Sequence, residues 1–229
     1  MSSKQPASRN TTPSRCFHFK QFAQDCPLTH TSVVDHLCSE QFPHLTGKRQ
    51  QKARQNLGAI LDATFSLSNE IGFAKMSMRD LHRACGLSLG ALYNYFDSKE
   101  ALAMSITETL NHIAFDWLPR LIQDETLPAR RLERLVRGHI YLSELLRPWF
   151  YFVFMEIKTL PDAHKQKACD VELRFQSLLD SLYGTPLLPA SHVMALMQDW
   201  HVKHWKYRQL DIDTFADSVN TIAQSMLKS

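Results

Sequence analysis

An all-α fold is what this sequence predicts, on three observations. From Lys48 onward apolar residues recur at spacings of three and four. Alternating runs of β-branched residues, the mark of strands, do not occur in any set that could build a sheet. Breaks in the pattern fall at Gly72, Gly86, Pro119, Pro148, Pro161, Gly184, Pro186 and Pro189, in a chain with only 7 glycines.

Residues 1–46 mix Ser, Thr, Pro, Gln and His with poor helical periodicity, apart from a short turn around Val33 to Cys38. They predict a mostly disordered arm, or sequence upstream of the true start. Cys16, His18, Cys26, His30, His36 and Cys38 fall in this arm. Their spacing lacks the two tight pairs of a structural zinc site, so no metal is expected. The first clear helix covers about 48–71, with Leu57, Ile60, Leu61, Thr64, Phe65 and Leu67 on one face and Gly72 as its stop. Ser77 with Asp80 three residues on forms a capping pair for a two-turn helix. Cys85-Gly86-Leu87 ends that helix, and Ser88 caps a third running to about Tyr95. Asp97 and Glu100 open a longer helix over about 98–117, carrying Leu102, Ile106, Leu110 and Ile113. Further helices are expected at about 128–146, 149–158, 162–182, 190–208 and 212–228.

The overall charge of +3 is too small to name a partner, but its distribution is informative. Residues 48–100 hold eight Lys or Arg against five Asp or Glu, and residues 101–229 hold fourteen against fifteen. A basic end joined to a neutral remainder suits contact with a polyanion. No apolar run approaches the roughly 18 residues of a membrane span, the longest being "PWFYFVFM" from Pro148. The polar N-terminus does not resemble a secretory signal. Five unevenly spaced cysteines point to a reducing compartment. Together these predict a soluble cytoplasmic protein. No GxSxG, HExxH, Walker loop or dinucleotide fingerprint is present, and Cys169 with His164 makes no nucleophile pair. No enzyme and no cofactor are expected.

Two short helices around a glycine turn make a helix-turn-helix. Leu81, Ala84, Leu87 and Leu92 are placed to pack its helices together, leaving Ser88, Leu89, Gly90, Ala91, Tyr93 and Asn94 to meet something else. The stretch "MRDLHRACGLSLGALYNYFDSKEAL", residues 78–102, together with "EIGFAKMS" before it, resembles the N-terminal domain of the TetR family of bacterial transcription regulators. The resemblance rests on Gly72-Phe73, Gly86-Leu87-Ser88, Gly90, Leu92-Tyr93, Tyr95-Phe96 and Ser98-Lys99-Glu100. His82 departs from it, standing where the family commonly has a small residue that lets the two short helices approach. Residues 1–46 have no counterpart in it, whereas the five helices after the motif agree with the family's second domain in number and size.

The resemblance implies a DNA-binding domain at 47–97 and a helical ligand-sensing and dimerisation domain at 98–229. It also implies a homodimer held by the last two helices, with each recognition helix in a major groove. The partners expected are a double-stranded DNA operator, a second copy of the chain and a small-molecule effector, with no membrane. Ser88 can cap its helix and meet a phosphate. Tyr93, Tyr95, Lys99 and Arg79 are phosphate candidates, with Tyr95 equally a candidate for the core. Asn94 can read an adenine edge, Leu89 and Ala91 can touch thymine methyls, and Gly90 permits close approach.

In the second half "RPWFYFVFMEI", residues 147–157, either fills a bundle core or walls a pocket. Trp149, Phe152 and Met155 there, with Trp200 and His204 further on, are the candidate lining of an apolar or aromatic-binding pocket. Met194, Met197, Ile212, Phe215, Val219, Ile222 and Met226 form an apolar stripe expected to serve the dimer, with some of it packing inward within the subunit. The functional class these features favour is a ligand-responsive, DNA-binding repressor. An activator or a ligand-free regulator of the same fold, and a helical interaction module whose short helix packs on protein, account for the same residues.

Overall fold

The computed structural model describes residues 17–184 and 188–227. Cys16, Pro186 and the final residues of the 212–228 helix lie outside the described residues. The described chain is helical throughout, with no strand among the described residues. Eleven α-helices are described: α1 (Phe19–Asp25), α2 (His30–Gln41), α3 (Gly47–Ile71), α4 (Met78–Cys85), α5 (Leu89–Tyr93), α6 (Lys99–Trp117), α7 (Pro128–Leu145), α8 (Arg147–Glu156), α9 (Asp162–Tyr183), α10 (Leu188–Val202) and α11 (Ile212–Ser225). Short 3₁₀ turns follow α6 at Leu118–Ile122 and α10 at His204–Lys206.

The expected disordered arm is corrected here for residues 17–46, which fold into α1 and α2 and pack on the body. α2 begins with a reciprocal cap: Thr29 Oγ1 accepts from the Ser32 amide at 3.2 Å, and Ser32 Oγ accepts from the Thr29 amide at 2.8 Å. Val33, Val34, Leu37 and Cys38 are buried at helical spacing, against α3 and α6. In α1 the Phe22 ring stands edge-on to Trp117 and Tyr141, at 5.1 and 5.3 Å. The Phe19 amide donates to Asp213 at 2.9 Å, near the far end of the chain. The apolar stripe of α2 spans little more than one turn, and its partners are remote in sequence, so local periodicity could not reveal it.

α7 is the axle of the second half, buried on almost every side from Leu132 to Ser143. Gly138 lets the 3₁₀ turn before it press close, since a Cβ there would sit 2.3 Å from Leu121 Cδ1. The buried Arg137 guanidinium donates to the Tyr141 hydroxyl at 3.0 Å and to Asp217, and Tyr141 in turn donates to Asp213. A buried cation needs such a full set of acceptors, and this set fixes α11 along α7. The remaining helices α8, α9 and α10 close around α7 and α6.

Most of the stripe expected to serve a dimer, rather than some of it, packs inward. Met194, Met197, Ile212, Phe215 and Val219 are buried inside the subunit, and of the set only Ile222 is exposed, at 38%. The predicted 190–208 helix also stops at Val202. Asp199 explains the stop: its carboxylate accepts from Lys203 and Lys206 and from the Tyr207 hydroxyl, folding the chain back in a 3₁₀ turn. No helix among the described residues is long and apolar enough to cross a membrane.

Because α2 belongs to the core, Leu37→Ala should lower unfolding free energy by about 2–5 kcal/mol, as cavity-forming changes in cores do. Urea titration reads the change directly. A loss of less than about 0.5 kcal/mol, the usual level for surface positions, would show that the packing of α2 contributes nothing.

Candidate functional site

The helix-turn-helix is built by three caps and one left-handed residue. Ser77 and Asp80 form the expected reciprocal cap of α4, at 3.2 and 3.0 Å, and the Ser77 bonds hold the Asp80 carboxyl below its ordinary value. Gly86 ends α4 at φ +72°, in the region where a side chain is strained. Ser88 Oγ accepts from the Ala91 amide at 3.1 Å and starts α5, and Ser98 does the same for α6 through Ala101 at 3.0 Å. His82 does not prise the helices apart. Its Nδ1 is 2.8 Å from the Leu87 carbonyl, so the ring donates across the turn and closes it. Leu81, Leu92 and Phe96 are buried beneath, whereas Ala84, expected at the contact, is exposed.

The face left outward matches the expectation for most residues. Ser88, Gly90, Tyr93 and Asn94 are exposed, with Leu89 and Ala91 half-buried beside them. Arg79 and Tyr93 share a shallow groove with Ser77, Ser98 and Glu100, where the starts of α4 and α6 come together.

Two candidates are taken up inside the chain instead. The Tyr95 hydroxyl accepts from Asn56 Nδ2 at 2.9 Å, and its ring stands edge-on to Phe42 at 5.4 Å. The Lys99 ammonium donates to the carbonyls of Phe73, Ala74 and Met76 at 3.0, 2.9 and 2.9 Å. All three of its protons are thereby used. A cation in the first turn of α6 is explained by the loop it ties down, with no phosphate needed.

The second half contains an apolar cavity of about 250 Å³ between α6, α7, α8, α9 and α10. Its wall is mainly Leu110, Phe115, Phe150, Val153, Phe175 and Met194, with Phe154 at the rim. Of the five residues expected to line a pocket, none does. Trp149 and Phe152 point the opposite way, into a cluster with Phe65 and Phe73, and the Trp149 indole donates to His30 at 3.1 Å. Trp200 stacks on Tyr207 and donates to Glu144 at 2.9 Å, while His204 lies 4.0 Å from the same carboxylate. Met155 is half-buried and outside the cavity wall. The correct stretch of α8 was therefore identified with the wrong face, because both faces are apolar.

The polar groups of the cavity are Asn111, Glu172, Gln198, His139 and His201. Glu172 accepts from Gln198 at 2.6 Å. His139 and His201 are 9% and 2% exposed, with ring centroids 6.3 Å apart, and the Nδ1 atom of each is buried without a protein hydrogen-bond partner. Burial pushes His139 down to about 4 and His201 down to about 3, the neighbouring His139 adding to the second shift. His139 lies within the apolar α7 run "GHIYL", a signal that the reading of the sequence does not single out.

Among the described residues, one group brings metal-ligand atoms together: His36, Glu40 and His112, all within 4.8 Å of one another. Ligands of a tetrahedral zinc ion lie about 3.4 Å apart for bonds of about 2.0–2.1 Å, so these side chains would have to close in. The described cysteines and histidines of the N-terminal segment do not converge on one another. Cys26 and Cys38 are buried separately, His30 meets Trp149, and His18 faces Asp213. The side chain of His164 lies outside the described residues.

This geometry defines a class: a helix-turn-helix protein whose short second helix is presented outward, joined to a helical domain with a ligand-sized cavity. Residues 60–106 match the family model described as bacterial regulatory proteins, tetR family. The HTH-type transcriptional regulator UidR of Escherichia coli K12 is 26% identical over 129 residues, covering 56% of this chain and 55% of that protein. The chain thus spans about half the length of the curated relatives it matches. A tetR-family regulatory protein from Rhodococcus RHA1 shares the fold with a TM-score of 0.67 at 16% identity, over 80% of this chain and 98% of that one. AibR, solved with isovaleryl coenzyme A and operator DNA, superposes with a TM-score of 0.63 at 20% identity, over 72% and 95% of the two chains. Its helix-turn-helix segment is thus similar to that of the tetR family of bacterial regulatory proteins, and the described chain shares the fold of these structures.

Two measurements follow from these contacts. Lys99→Met should lower thermal stability by removing three charged hydrogen bonds from the α3–α4 loop, at a cost of about 1–3 kcal/mol. An unchanged melting temperature would mean that the ammonium does not anchor the loop. For His139 and His201 the folded values lie below the ordinary 6.5. The unfolded chain therefore takes up protons first as pH falls, so stability is complete above about pH 6.5 and declines toward pH 4. The double change His139→Leu, His201→Leu should flatten that decline in pH-resolved urea titrations.

Proposed function

We propose that this chain is a transcriptional repressor that binds operator DNA as a homodimer in the cytoplasm and is released from it by a small molecule. One observation carries the reading: α6 serves both ends. Its first turn carries Lys99, which holds the loop in front of α4, and its later turns carry Leu110, Asn111, Ala114 and Phe115 to the cavity. A ligand that displaces those later turns tilts the helix that carries the DNA-facing unit. Such a ligand shifts the population only if it prefers the DNA-incompetent arrangement.

On DNA, Asn94 reads a base edge, Leu89 and Ala91 touch thymine methyls, and Gly90 allows close approach. Ser88, Tyr93 and Arg79 hold phosphates, aided by the converging starts of α4 and α6. Tyr95 and Lys99 act from behind by fixing the frame. The dimer uses the outward faces of α10 and α11, where His192, Ala195, Ser218 and Ile222 are exposed. Two half-sites about one helical turn apart would then be read together. AibR, with its acyl-coenzyme A and operator, is a relative in which both kinds of ligand occur.

A gel shift on the DNA flanking its own coding region tests the core of this reading. Salt-sensitive binding is expected, and its absence there and on genomic fragments would overturn it. Tyr93→Phe should weaken binding about tenfold on every sequence, the scale of one hydrogen bond to a charged group. Asn94→Ala should instead erase about 1–3 kcal/mol of discrimination at one base pair, read by competition with substituted operators. Equal losses on specific and random DNA for both variants would sink this division of roles.

A further inference from the structure

The cavity's chemistry narrows the molecule it takes. Its wall is aromatic and aliphatic, and no Lys or Arg lines it among the described residues. The adjoining groove, which shares Asn111, Phe115 and Val171 with the cavity, does hold Lys167 and Arg174. Both are engaged: Lys167 donates to Glu108 at 2.8 Å, and Arg174 lies over the Phe115 ring at 4.8 Å. Glu172 adds negative charge to the wall itself. An anionic ligand would thus lose its hydration and meet a carboxylate, with no cation in the described wall itself to replace the water. The neutral state of the two imidazoles closes the remaining route to an anion site.

A wholly apolar ligand leaves a different debt. His139 and His201 are buried polar rings in the cavity wall, each with an Nδ1 that meets no protein partner. Buried imidazoles of this kind are costly unless something hydrogen-bonds to them. A neutral imidazole offers one N–H donor and one acceptor nitrogen, which is the complement of a hydroxyl group. Phe150 packs edge-on to both rings, at 5.6 Å from each, holding them in place beside the aromatic wall.

We propose that the cavity selects an uncharged molecule with an apolar ring body and a hydroxyl group that hydrogen-bonds to His139 or His201. This rests on the cavity being the effector site and adds the chemical class of the effector. A body of two fused rings suits the cavity's size, and the hydroxyl supplies the orientation that an apolar wall lacks.

Four probes of one shape test it by calorimetry on the full chain: 2-naphthol, naphthalene, 2-naphthoate and 2-naphthylmethylammonium. The expected order places 2-naphthol about tenfold or more ahead of naphthalene, the scale of one satisfied buried hydrogen bond, with 2-naphthoate weakest. His201→Phe combined with His139→Phe should abolish the naphthol preference and retain naphthalene binding. Tightest binding by the carboxylate or the ammonium would overturn the proposal, as would a naphthol preference that survives in the double variant. Naphthalene binding without a naphthol preference defeats this inference alone. Failure of all four probes to bind would defeat the effector cavity itself, and with it this proposal.

Discussion

The interaction on which the rest of this structure depends is the Trp149 contact. Its indole is fully buried, packs edge-on to Phe65, which in turn meets Phe152, and donates to His30 Nδ1. His30 is the first residue of α2, Phe65 belongs to α3, and Phe152 belongs to α8, so one side chain ties three parts of the chain together. A large aromatic ring contributes by the area it removes from water, and its N–H must find a partner when buried. Here the partner comes from the N-terminal segment, which makes that segment part of the joint between the helix-turn-helix and the cavity domain.

α6 runs past this joint as the mechanical link. Its start is fixed by the Ser98 cap and by Lys99, whose three bonds close the loop before α4. Its end walls the cavity and passes Trp117 to Phe22 of α1. A rigid helix held at one end and exposed to a ligand at the other converts a small displacement into a change of angle, because packed interfaces shift between discrete arrangements rather than deforming smoothly. The N-terminal helices lean on the same rod, through α2 against α6, and so share in setting its position.

Buried polar groups mark a contrast between the two ends of the second domain. Arg137 is buried with acceptors on Tyr141, Glu133 and Asp217, a satisfied set that fixes how α11 lies. His139, two residues on, is buried with an unpartnered nitrogen beside the cavity. The same helix thus carries a closed network on one side and open hydrogen-bonding capacity on the other. Satisfied networks hold a structure in one state, whereas an unpaired buried polar group is costly.

The sequence alone determined the all-α class, the boundaries of most helices and the helix-turn-helix, because caps, glycine stops and three-to-four spacing are local signals. Ser77 with Asp80, Gly86 and Ser88 all perform the roles their positions suggested. Only the tertiary structure decided which side of an apolar helix faces what. The sequence suggests Trp149 and Phe152 for a pocket wall, yet Phe150 and Val153 occupy it, since α8 is apolar around its whole circumference and periodicity cannot choose a face. Lys99 and Tyr95 likewise carry groups that suit a phosphate, and their partners, the Phe73–Met76 carbonyls and Asn56, lie some 23 to 39 residues away. The order of residues 17–46 was hidden for the same reason. Short helices with weak local patterns are stabilised by surfaces on Trp117, Tyr141 and Asp213 that exist only once the chain has folded.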